Sequence, residues 1–158
     1  MVGCCHVDEY YDGRIKKHEL TRPVKEDDRV RHVQTLNANA EPVFFSYRGR
    51  EAIDAFVAGK LADAPTCDFV AADGIRHEMW TLSDSAEVAR LEGLFAEAPA
   101  FYVADGHHRY ETALQNRNEL QASEDVLSPN AGARFMMMTL ISMDSPGLLV
   151  LPYHRIVR

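Results

Sequence analysis

Ala100-Phe101-Tyr102-Val103-Ala104-Asp105-Gly106-His107-His108-Arg109-Tyr110-Glu111 decides how this chain is read. A short apolar run of strand character ends on a carboxylate. A glycine turns the chain, and a helix is expected over 108–120. A strand that feeds a helix through one glycine is a βα unit, so helices lie against a sheet. Working outward, Pro42–Tyr47 and Arg134–Met143 are apolar strand candidates, with Met136-Met137-Met138 read as core filling. Val2–Val7 is a short strand, Asp12-Gly13 a turn, and Arg14–His18 extended again. Pro23 opens a helix whose Val30, Val33 and Leu36 recur at helical spacing, with Glu26, Asp27 and Asp28 near its positive end. Glu51–Leu61 reads as a helix with Ile53, Phe56 and Val57 inward. Asp84–Glu97 is another, capped by Ser83 or Asp84, with Val88, Leu91, Leu94 and Phe95 inward. Ala72-Asp73-Gly74 sits between Cys67–Ala71 and Ile75–Leu82 as a hairpin turn. Gln121–Gly132 reads as a loop. Trp80, Phe44, Phe45 and Phe69 are expected to fill core. No strict βαβ alternation runs throughout. The expected fold is α/β: a single mixed-sheet domain, residues 1–158, with helices packed around the sheet.

Composition agrees with a globular chain. Of 158 residues, 46% are hydrophobic and 26% charged, which suits a packed core and leaves disorder and coiled coil as poor readings. The formal net charge of −7 repels nucleic acid and anionic membranes, so neither is an expected partner. Three cysteines, Cys4, Cys5 and Cys67, form no disulfide framework and no zinc spacing. Reduced thiols and the lack of a visible signal peptide point to the cytoplasm. The chain begins and ends close to structured sequence, as expected of a domain excised from a longer protein.

Two stretches concentrate chemistry. At the Gly106 corner, unpaired backbone N–H groups at a helix start suit phosphate, and Gly106 lets a ligand approach the backbone. His107, His108 and Arg109 add donors, and Asp105 at the strand's carboxyl end suits magnesium. Asp105 as a simple helix cap, with solvated histidines, accounts for the same residues. Zinc on His107-His108 is a weak reading, because neighbouring positions at a helix start point apart. The second stretch, Lys16-Lys17-His18-Glu19-Leu20-Thr21-Arg22-Pro23-Val24-Lys25-Glu26-Asp27-Asp28-Arg29, packs five basic residues around a strand-to-helix corner. It reads either as a solvated charged face or as a polyphosphate site. In the second case Glu19 is the candidate base, since it precedes the helix, whereas Glu26, Asp27 and Asp28 already suit its dipole. His6, His32, His77 and His154 are scattered and read as structural or exposed.

Ala104-Asp105-Gly106-His107-His108-Arg109 resembles the Asp-Gly-x-His-Arg signature of the ParB/sulfiredoxin superfamily. The wider pattern is similar to the domain-of-unknown-function 1015 family: Ile15-Lys-Lys-His-Glu-Leu-Thr-Arg-Pro23, Lys25-Glu-Asp-Asp-Arg29, His32, Leu36-Asn37, the signature, and Leu151-Pro-Tyr-His-Arg-Ile156. The resemblance implies a ParB/sulfiredoxin-type fold. Among characterised members it points to free serine kinase, a nucleotide-dependent enzyme that phosphorylates L-serine. By that resemblance His18-Glu19 is the catalytic pair, with Asp105 beside it and as the metal ligand. The resemblance implies that Gly106, His107, His108 and Arg109 form the phosphate cradle, and the polyphosphate reading of the second stretch adds Arg22 and Lys25 as nucleotide contacts. The implied cofactors are ATP or ADP and Mg2+, and the implied partner a small hydroxylated metabolite. Glu19 and Asp105 stand further apart in sequence here than in the kinase, as though the Glu51–Glu97 region were inserted. The sulfiredoxin reaction lacks its cysteine, since His107 stands in that place. A non-catalytic nucleotide-binding module of ParB type is the alternative.

Overall fold

A computed structural model describes residues 1–123 and 127–151, apart from the side chains of Val24 and Lys25. The fold is α/β, with four helices, a mixed five-stranded sheet and a separate two-stranded hairpin among the described residues. The chain divides into two compact units, residues 1–48 with 100–158, and residues 49–99.

In the first unit the strands are β1 (Val2–His6), β2 (Ile15–Lys16), β3 (Val43–Tyr47), β6 (Phe101–Asp105) and β7 (Phe135–Ser142), in the order β1-β7-β3-β6-β2. Strand β6 runs parallel to β2 and antiparallel to β3, while β7 runs parallel to β3 and antiparallel to β1. Two helices belong to this unit, α1 (Pro23–Leu36) and α4 (His107–Ser123), and α1 packs on α4.

Helix α4 buries His107, Tyr110, Ala113, Leu114 and Arg117, positions spaced by three and four residues. Tyr110 is 1% exposed; its hydroxyl donates to the Val7 carbonyl at 3.0 Å, and its ring meets Phe45 edge-on. Arg117 is paired with Asp8. Val43, Phe45, Val103, Met136 and Leu140 supply the buried residues of the central strands. Pro23 stands at the first position of α1, as expected, and Asn37 ends that helix in the left-handed conformation. The apolar stripe read on α1 holds only in part. Val30 is buried, Val33 is half-buried and Leu36 is 51% exposed, because the last turn runs beyond the packed surface.

The second unit contains α2 (Glu51–Leu61), β4 (Cys67–Val70), β5 (Arg76–Met79) and α3 (Ser85–Ala96). The hairpin turns at Gly74, whose φ of +83° favours glycine. Asp84 caps α3 by accepting from the Ala86 and Glu87 N–H groups. Phe69 does not fill core: it is 53% exposed and stacks on His77 across the hairpin, since a two-stranded ribbon has little interior. The loop read over 121–132 is shorter than expected, because α4 continues to Ser123 and a 3-10 turn occupies Gly132–Arg134. Among the described residues no helix is long and apolar enough to cross a membrane.

Cys4 and Cys5 face opposite sides of β1, one exposed and the other buried, as strand alternation requires. Burial pushes the Cys5 thiol up to about 12 from an ordinary 9.0. The nucleophile is the thiolate, so alkylation of the native protein at pH 8.5 is expected to label Cys4 and spare Cys5 until denaturant is added. Mass spectrometry of the labelled peptides reads this out, and equal labelling of both would contradict it. The sign for stability follows from the raised value: the folded state holds the proton longer, so this contribution is complete below pH 9.0 and lost as pH rises towards 12.

Candidate functional site

Parallel pairing of β2 with β6, Ile15 opposite Phe101 and Lys16 opposite Tyr102, brings the exits of both strands to one end of the sheet. The chain leaving β2 carries His18, Glu19 and Arg22, and the chain leaving β6 carries Asp105 to Arg109. Ligands gather at such carboxyl ends in α/β sheets. Antiparallel β3 adds a third component, because Phe44 pairs with Asp105 and so Glu41 sits at the same end.

His107 joins the two sequence blocks. It is 5% exposed. Its Nδ1 lies 3.6 Å from Glu19 Oε2, and its Nε2 accepts from the His18 backbone N–H at 3.5 Å. The His18 ring meets the His107 ring edge-on, centroids 4.5 Å apart. Burial, then the neighbouring His18, hold the His107 imidazole below its ordinary value, while the Glu19 and Asp105 carboxylates oppose this. It is therefore neutral at pH 7. The contacts assign its proton to Nδ1, facing Glu19. Glu19 itself remains 59% exposed and open to a small molecule.

His108 serves another partner: its Nε2 accepts from the Arg22 backbone N–H at 3.2 Å. This contact ties the start of α1 to the start of α4. The two imidazoles thus engage different residues. No group of three histidine, cysteine or carboxylate side chains gathers as a metal site among the described residues.

Arg109 bridges two carboxylates, Glu41 at 2.5 Å and Asp105 at 2.9 Å. Its guanidinium lies over Gly106, where a Cβ would come within 2.7 Å of Nε and Nη2. With φ of +95°, Gly106 also holds a backbone conformation that side chains disfavour. Asp105 is exposed, its carboxylate tied by Arg109. Arg22 is exposed at the cap position of α1; Lys25 lies on α1, with its side chain outside the described residues.

His18, Glu19, Arg22 and Asp105 to Arg109 therefore lie at one end of one sheet. The family described as protein of unknown function (DUF1015) matches residues 1–158. The chain belongs to DUF1015. No curated protein and no solved structure matches it. The DUF1015 match runs across residues 49–99 as well as the two blocks that build the corner.

Three contributors in this DUF1015 chain were not singled out as site residues from sequence. Glu41 precedes β3 and meets Arg109 only through strand pairing. Glu111 accepts from Tyr10 at 2.5 Å and from Lys17 at 3.1 Å, which anchors the chain leaving β2 to α4. Thr112 is 2% exposed, with a hydroxyl that has no hydrogen-bond partner among the described residues. Its spacing of three residues from Arg109 places both on neighbouring turns of one helix face, a signal that was available.

Arg109→Ala removes the guanidinium and leaves two exposed carboxylates, so the fold is expected to survive. Affinity for nucleotide is expected to fall by about 1.5–3 kcal/mol, the scale of a charge-assisted hydrogen bond. Calorimetric titration with ATP and ADP checks this, and unchanged affinity with a normal melting curve would remove Arg109 from phosphate binding.

Proposed function

We propose that this protein is a nucleotide-dependent kinase of ParB/sulfiredoxin type that phosphorylates a hydroxyl of a small metabolite, with L-serine the leading acceptor. The observation that carries this reading is the contact between Glu19 and His107. It joins the candidate base to the candidate phosphate corner across 88 positions of sequence. Phosphoryl transfer asks mainly for positioning and charge neutralisation, and the corner offers both. Glu19 would take the acceptor's hydroxyl proton as that oxygen bonds to phosphorus. The bond from phosphorus to the nucleotide's bridging oxygen would break, and its electron pair would leave with the shortened nucleotide. Neutral His107 would hold the Glu19 carboxylate in place through Nδ1–H. His18, edge-on to His107, would position the same pair. The N–H groups at the start of α4, with Arg109, His108 and Arg22, would hold phosphate oxygens.

Asp105 fits magnesium by the chemistry of its donor set. Its carboxylate is 77% exposed, and magnesium usually takes one or two protein carboxylates and completes its shell with phosphates and water. Bound there, the ion would neutralise charge on the transferring group. Asp105→Asn keeps size and removes charge. Activity is expected to fall at least about tenfold, with stability within about 1 kcal/mol of wild type, since the pair with Arg109 is exposed on one side. Kinase assays across magnesium concentrations, with melting curves, check both.

The tie between Arg109 and Asp105 also favours a second reading, a nucleotide-binding module without turnover, because it occupies the carboxylate that magnesium would need. Incubation with ATP or ADP, magnesium and a panel of amino acids separates the two. O-phospho-L-serine is the expected product. Tight nucleotide binding with no phosphorylated product from any acceptor would establish the module instead.

A further inference from the structure

Between α1, the turn after it and α4 lies a cavity of about 720 Å³, and His107 and Glu19 take no part in it. Its wall is formed by Arg29 and His32 of α1, by Asn39, by Arg109 and Thr112 of α4, and by Met136 of β7. The volume falls within the usual range for small-molecule sites, about 300–1,000 Å³. Val33, Ala40 and Met136 give it an apolar side.

Two observations indicate an occupant. Thr112 is 2% exposed, yet its hydroxyl has no partner among the described residues, and buried polar groups are normally satisfied. The charges of the wall are also mostly spent on one another. Glu41 takes Arg109, and Asp28 lies 3.8 Å from Arg31. Arg29 is left without an ion pair among the described residues, so the wall has a free cation beside an apolar surface. A ligand that answers all three features carries an anion for Arg29, a hydrogen-bonding group for Thr112 and an organic body for Val33 and Met136.

We propose that this cavity binds the organic body of a phosphate ester, with Arg29 and Arg109 on its phosphate side and Thr112 on its body. The choice of phosphate esters rests on the kinase reading above. Two sources share that chemistry, the nucleotide and the phosphorylated product, and the volume favours the nucleotide. Arg109 belongs to both the cavity wall and the Asp105 corner, so a nucleotide seated here reaches the corner with its phosphates.

Calorimetric titration of the whole chain with ADP and, separately, with O-phospho-L-serine tests this in wild type, Arg29→Ala, Thr112→Val, Arg109→Ala and Glu19→Gln. Expected is a loss of ADP affinity of about tenfold in Arg29→Ala, a smaller loss in Thr112→Val, and none in Glu19→Gln. Arg29 is exposed on α1, so that variant keeps the test decisive if Thr112→Val fails to fold. Loss of phosphoserine affinity in place of ADP affinity would support the cavity as a phosphate-ester site and assign it to the product. ADP and phosphoserine affinities unchanged in both cavity variants, together with ADP binding weakened by Arg109→Ala, would overturn the cavity and leave the kinase reading standing. A wild-type chain that binds neither probe overturns both.

Discussion

Glu19→Gln is expected to bind nucleotide as wild type does and to transfer phosphate about 10²–10⁴-fold more slowly, the usual contribution of a positioned general base. The substitution keeps shape and one hydrogen-bonding oxygen but cannot accept a proton. Glu19 sits on the chain leaving β2, more than half exposed, so its replacement removes little packing. A melting temperature close to wild type is therefore part of the expectation, since ordinary surface sites change stability by about 0.5 kcal/mol or less. If Glu19 were one solvated charge among many, neither rate nor affinity would move. Binding and phosphoserine formation measured on the same preparation decide between these. A fully active Glu19→Gln protein would end the kinase reading at its central residue. The Arg109 and Asp105 predictions would then be tests of binding alone.

Tyr110→Ala carries the largest expected cost in stability, about 3–5 kcal/mol, the range for removing a large buried aromatic. Tyr110 is 1% exposed. It packs between Tyr10, at 4.9 Å between ring centroids, and Phe45, and it holds the Val7 carbonyl. At this chain length each kcal/mol shifts the melting temperature by about 2–4 °C, so a fall of about 10 °C is expected. Tyr110→Phe isolates the hydroxyl. It leaves the Val7 carbonyl without this donor and is expected to cost about 1–2 kcal/mol. Tyr110 follows directly on His107, His108 and Arg109, so any loosening of α4 at this point misplaces the corner. A cost below about 1 kcal/mol for Tyr110→Ala would mean that α4 is held elsewhere.

Much of this arrangement was legible because local rules agreed with the final packing. Gly106 after an apolar strand, Pro23 at a helix start, Asp84 as a cap and Asp73-Gly74 in a hairpin each report on residues a few positions away. Most of the expected elements therefore fall close to their observed bounds, although the strand read over Ile75–Leu82 shortens to Arg76–Met79. Leu36 and Phe69 were misread for one reason: periodicity marks a face as apolar but does not say how far the neighbouring surface extends. The site was legible in its parts. His18-Glu19 and Asp105 to Arg109 were both singled out, but sequence gives no distance between them. Parallel pairing of two-residue β2 with β6 supplies it, and a strand that short leaves almost no hydrophobic pattern. Glu41 and Thr112 were missed for a related reason. An acidic residue before a strand and a threonine within a helix are commonplace; only the pairing of β3 with β6 brings Glu41 to Arg109, and only the α1–α4 packing buries Thr112 beside the cavity.

The register of β3 against β6 has a consequence for how such a chain can change. Ser46 lies opposite Tyr102, so the two points where residues 49–99 leave and rejoin the sheet are the adjacent ends of one antiparallel pair. Topologically the whole second unit is the connection of a hairpin. The entropy of closing such a connection grows only with the logarithm of its length, about 0.6 kcal/mol for each doubling. Chain can be gained or lost at this point at small cost while Glu19, His107 and Arg109 keep their neighbours. The distance in sequence between the two halves of the corner therefore places little constraint on the chemistry at the other end of those strands.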